Sequence, residues 1–89
     1  MVCYHVAYYF PRGEDHMVVA EALDFPGGLS QGIDLADARL MIASALEDVA
    51  QMLLEEGKPV PAPNSKATAA YADIIELVPL SLEAGAAES

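Results

Sequence analysis

Residues 34–57 read DLADARLMIASALEDVAQMLLEEG, and this stretch decides the fold. Its apolar residues recur with a period near 3.6: Leu35, Ala38, Ile42, Ala45, Leu46, Val49 and Leu53 fall on one stripe. Asp37, Ser44, Glu47, Asp48, Gln51 and Glu55 fall largely elsewhere. Asp34 brings the side-chain oxygen that a first helical turn needs as a cap, and Asp37 adds a carboxylate where the helix dipole favours one. Gly57 suits the left-handed position just past a helix end, and Pro59 prevents resumption. The stretch predicts one amphipathic helix of about six turns.

A helix with one apolar stripe must bury it against something. Toward the N-terminus the period drops to two. Residues 2–10 are β-branched and aromatic, which suits a strand. Side chains alternate along a strand, so Val2, Tyr4, Val6, Tyr8 and Phe10 share one face, and Cys3, His5, Ala7 and Tyr9 the other. Pro11-Arg12-Gly13-Glu14-Asp15 is a polar turn. A second strand from His16 to Leu23 makes a hairpin with the first. Asp24-Phe25-Pro26-Gly27-Gly28 breaks the chain again, and Leu29-Ser30-Gln31 forms a short third strand closed by Gly32.

Beyond the helix, Val60 to Ala70 reads as an irregular connector, with a helical turn expected over Lys66 to Tyr71. Ala72 to Pro79 contains the fourth strand. The fold class is therefore α+β: a three-stranded antiparallel sheet, one long helix packed on one face, and a fourth strand, in the order β-β-β-α-β. The connector is long enough for a crossover, which opens a parallel pairing to the last strand. Residues 1–80 form one domain; residues 81–89 are a small, acidic tail expected to fray.

Composition narrows the function. The 89 residues are 54 % hydrophobic and 20 % charged, enough for a core. Four Lys and Arg face 14 Asp and Glu, a formal charge of −10. That balance repels a phosphate backbone and attracts a basic partner, so direct DNA binding is not expected. Cys3 is the lone cysteine, which excludes an internal disulfide and fits a reducing, cytoplasmic setting. No membrane span and no signal peptide are expected.

The candidate chemistries are thin. Cys3, His5 and His16 lack the spacing of a zinc site. Cys3 has no activating base in view, so it is not read as a nucleophile. Glu21, Asp24, Asp73 and Glu76 are the carboxylates that a two-metal nuclease would use. They read more simply as solvated edge residues. No catalytic residue, metal or cofactor is expected, and the chain is read as a non-enzyme.

The segment Val19-Ala20-Glu21-Ala22-Leu23-Asp24-Phe25-Pro26-Gly27-Gly28-Leu29-Ser30-Gln31-Gly32 resembles the signature of the HicB antitoxin family, roughly v-A-E-f-P-D-L-P-G-C-x-s-q-G. Asp34-Leu35-Ala36-Asp37-Ala38 looks like that family's helix start, and residues 53–63 look like its helix exit. The similarity covers about residues 4–79. It departs at Leu23, usually Pro, and at Gly28, usually Cys. Many family members also carry a C-terminal DNA-binding module. Only Leu80 to Ser89 follow Pro79 here, so operator binding is not expected of this chain.

The resemblance implies a partial ribonuclease-H-like fold. It also implies a partner: a HicA-type toxin, a small basic protein that cleaves mRNA and is silenced when the antitoxin covers it. The partner-binding residues expected on that reading are Asp37, Glu47 and Asp48, with Leu40, Met41 and Phe25 as apolar anchors. Asp24-Phe25-Pro26-Gly27-Gly28 reads first as a structural turn, and the alternative sets Phe25 exposed at its tip as a docking aromatic. The acidic residues of the helix surface read first as a solvated face, and on the functional reading they stand in for RNA phosphates. The aromatic first strand leaves apolar residues on both sheet faces, so a homodimer or tetramer is expected, through the sheet face or an open edge. The competing reading is a stand-alone oligomeric structural or regulatory domain with no toxin partner.

Overall fold

The computed structural model describes residues 2–14, 16–25, 28–63 and 68–80. Among these, strands β1 (Cys3–Tyr9), β2 (Val18–Ala22) and β3 (Leu29–Gly32) precede helix α1 (Leu35–Glu55), and β4 (Ile74–Pro79) follows it. They form one four-stranded sheet in the order β3-β2-β1-β4. The predicted element order holds. The tail expected over residues 81–89 lies outside the described residues, as does part of the helical turn expected over Lys66 to Tyr71. The described part of that segment forms a turn, with the Ala72 N–H donating to the Ala69 carbonyl.

The helix boundaries follow from local chemistry. Asp34 is extended, and its carboxylate accepts the Asp37 N–H at 2.8 Å. The Asp37 carboxylate reaches back to the Ile33 N–H at 2.9 Å. Reciprocal caps of this kind satisfy N–H groups that no helical carbonyl can reach. At the other end Gly57 takes φ 74, and the Lys58 N–H closes on the Leu53 carbonyl.

One face of the sheet packs under α1. Tyr4, Val6 and Tyr8 of β1, Val18, Ala20 and Ala22 of β2, and Val78 of β4 are buried there against Ala38, Ile42, Leu46 and Ala50. Leu35, Ala45, Val49 and Leu53 flank that line, half-buried. Gly32 sets the closest approach. A Cβ at that position would sit 2.4 Å from the Ala38 nitrogen, so only glycine lets the end of β3 touch the start of α1. Gly28, at the start of β3, lies beside Leu46. The helix therefore runs back antiparallel to β3.

The parallel pairing opened to β4 is corrected: β4 runs antiparallel to β1, from Tyr8↔Ile74 to Cys3↔Pro79. The reason is the length of the connector. α1 ends at the Cys3 end of β1, where Pro61 meets Tyr4 and a strand begun at once would be parallel. Residues 56–73 are enough chain to return to the Tyr9 end, so β4 starts there and runs back antiparallel. Three hydrogen bonds hold that path. The Tyr4 hydroxyl donates to the Pro61 carbonyl, and Asp73 accepts from the Phe10 N–H at 2.8 Å and from Arg12 at 2.7 Å.

Candidate functional site

The solvent face of α1 gathers most of the residues singled out for partner binding. Positions three and four apart on a helix are surface neighbours. Asp37, Leu40, Ser44, Glu47, Asp48, Gln51 and Glu55 thus form one continuous strip. Leu40 stands in it 70 % exposed, and Met41 flanks it at 45 %. Asp48 and Glu55 are exposed, and Glu47 is half-buried. No basic residue occupies the last turn of α1, so the negative end of the helix dipole adds to these carboxylates. Asp37 is only partly available, because one of its oxygens is committed to the Ile33 N–H. Exposed Ile33 adds apolar surface beside it. The sequence reading missed Ile33; its signal was a β-branched residue wedged between Gly32 and the capping Asp34.

Phe25 is a correction. It is 2 % exposed, not displayed at a loop tip, and its ring stacks on Tyr4 with centroids 4.7 Å apart. An aromatic side chain at the edge of a small core is worth more buried than solvated, and Tyr4 offers it a face. Phe25 therefore plugs the end of the core and presents no surface to a partner.

The carboxylates that a nuclease would use do not converge. Glu21 accepts the Tyr9 hydroxyl at 2.9 Å. Asp24 faces His5, with Nδ1 at 3.0 Å and the His5 N–H at 3.3 Å. Asp73 pairs with Arg12, and Glu76 is held by Arg39 through two contacts of 2.7 and 3.0 Å. Glu21 and Asp24 do line an open hollow of about 470 Å³ beside Phe25 and Leu29. Among the described residues no group of three or more His, Cys, Asp or Glu is arranged to hold a metal ion. Cys3 and His5 share the open sheet face as expected from their alternation, and His5 is turned to Asp24.

The same pairings set the titration behaviour. The bidentate Arg39 guanidinium holds the Glu76 carboxyl below its ordinary value. Burial, then the Glu76 carboxylate, pushes the Tyr8 hydroxyl well up. That hydroxyl is fully buried and has no hydrogen bond of acceptable geometry among the described residues. Tyr4 is raised by burial and then by the Asp24 charge, Tyr9 by burial and then by its bond to Glu21.

The fold is similar to that in the crystal structure of the Burkholderia pseudomallei antitoxin HicB. The TM-score is 0.74 at 24 % sequence identity, over 93 % of this chain and 66 % of that one. The chain thus has a HicB-like fold, as its sequence resemblance implied, and it spans about two thirds of that protein's length. No family model and no curated protein matches the sequence. Among the described residues no helix is long and apolar enough to cross a membrane.

Proposed function

We propose that this chain is a non-catalytic, antitoxin-like protein of the cytoplasm that binds and occludes a small basic HicA-type mRNA-cleaving toxin, without a cofactor. One observation carries the reading: a HicB-like fold displays a continuous acidic helix face with an exposed leucine within it. The net charge of −10 draws a cationic partner from a distance and speeds encounter. Leu40 and Met41 then supply the apolar contact on which affinity depends. Glu47 and Asp48 meet the cations that a toxin would otherwise direct at RNA phosphates. Inhibition follows from occupancy alone.

The test is capture of a basic, toxin-sized protein encoded beside this chain. Co-expression should relieve the growth arrest that the toxin causes. The double substitution Glu47→Lys/Asp48→Lys should weaken capture while circular dichroism stays unchanged. The association rate should fall as salt rises, because screening shortens the field. Unchanged capture by the double variant would move the contact off this face, and a salt-independent rate would remove the steering. A stand-alone oligomeric regulatory domain is the competing reading. A gene with no toxin-like neighbour, and a protein that rescues no arrest, would favour it.

A further inference from the structure

β4 is an edge strand, and its backbone directions can be read from the ladder. The Leu80 N–H donates to the Val2 carbonyl, one step beyond the Cys3↔Pro79 pair. In an antiparallel ladder, successive residues turn their N–H and C=O groups to opposite sides. Ile74, Glu76 and Val78 therefore face β1, while Ile75, Leu77 and Pro79 turn their backbone groups away from the sheet. Pro79 fits this phase, since its missing N–H costs no ladder bond. At the other end the Asp73 N–H is already spent on the Tyr8 carbonyl. Two residues of β4, Ile75 and Leu77, thus offer outward N–H groups, and their side chains are exposed at 38 % and 59 % on the sheet face that α1 leaves open.

Charge separates this edge from the rest of the surface. Both arginines of the chain are committed here: Arg12 neutralises Asp73 and Arg39 neutralises Glu76. Among the described residues, by contrast, no basic side chain pairs with Asp37, Glu47, Asp48 or Glu55 of the helix face. Two copies of a chain carrying −10 repel one another at long range, so they meet at lowest cost where the acids are already paired.

We propose that a second copy of this chain occupies the edge, β4 against β4 about a two-fold axis, joining the two sheets into one. The register that uses every outward N–H places Ile75 opposite the second copy's Leu77, and Leu77 opposite its Ile75. Each such pair exchanges both backbone hydrogen bonds. Pro79 then falls opposite the second copy's Asp73, so the two positions without an outward N–H face each other. The axis passes between the two Glu76 residues. Like charges directly opposite destabilise a sheet, and the Arg39 fork on each carboxylate offsets that. The proposal rests on β4 alone and holds whether or not the helix face binds a toxin.

Sedimentation equilibrium on the full chain at micromolar concentration should return about twice the 9.4 kDa monomer mass. Leu77→Pro removes an outward N–H and no bond to β1, so it should yield a folded monomer, with dimer affinity weakened about tenfold or more. If Leu77→Pro does not fold, Ile75→Lys/Leu77→Lys places charges on the exposed side chains and should give the same monomer. Arg39→Gln should weaken the dimer, and Arg39→Gln/Glu76→Gln should restore it. A wild-type monomer would overturn the proposal. So would a dimer that survives Leu77→Pro or the double lysine variant, or an edge that pairs only when a basic protein is added.

Discussion

The two faces of the sheet are built from the same four strands by strict alternation, yet they differ in kind. The face under α1 carries Tyr4, Val6, Tyr8, Val18, Ala20, Ala22 and Val78, all buried. The open face carries His5, Tyr9, Val19, Glu21, Leu29, Gln31, Ile75 and Leu77, of which Leu29 is 65 % exposed. Four polar groups on the open face form two pairs, Tyr9 with Glu21 and His5 with Asp24. Stability is thus concentrated on one side, and the other is left free for contact.

That contrast can be broken by substitution. Ile42→Ala or Leu46→Ala should cost about 2–5 kcal/mol, because each leaves a cavity in the only described core. In so small a domain that is a large part of the total. Urea denaturation measures it, and a loss below about 1 kcal/mol would mean that the covered face is not the stabilising one. Gly32→Ala should cost about 1–3 kcal/mol, since its Cβ would strike backbone atoms of Asp37 and Ala38. Asp34→Ala should cost about 1 kcal/mol through the lost cap, read as a shift in the urea midpoint at unchanged slope.

The pH dependence sharpens the same comparison. Tyr4, Tyr8 and Tyr9 are all raised from 10.0 by burial. Below that value both folded and unfolded chains keep these hydroxyls protonated. Above it the unfolded chain releases protons that the folded one retains. Their contribution to stability is therefore complete below 10.0 and is lost progressively as the pH rises beyond it. The melting temperature should fall across that range, and Tyr8→Phe should blunt the fall; a flat profile would place the tyrosines in solvent. The smallest effect is expected on the open face, where Leu29→Ala should change stability by no more than about 0.5 kcal/mol.

Much of this architecture was legible in the residues. The period change at Asp34, the cap, the Gly57 exit and the pattern in β1 each rest on local chemistry, and each appears where expected. Phe25 was misread because a Pro-Gly turn signals an exposed loop and says nothing of the ring beside it. Tyr4 is 21 residues away in sequence and supplies the stack. The strip from Asp37 to Glu55 was legible because helical spacing alone sets it. The pairing of Arg12 with Asp73 and of Arg39 with Glu76 was not, since each joins residues far apart in the chain.

The sequence by itself determined the elements, their order, the apolar stripe of the helix and the excess of negative charge. These depend on periodicity and composition, which act within a few residues or over the whole chain. Only the tertiary structure decided the direction of β4, the burial of Phe25 and the neutral edge made by both arginines. Those depend on which distant segments meet, and no local pattern of residues encodes that.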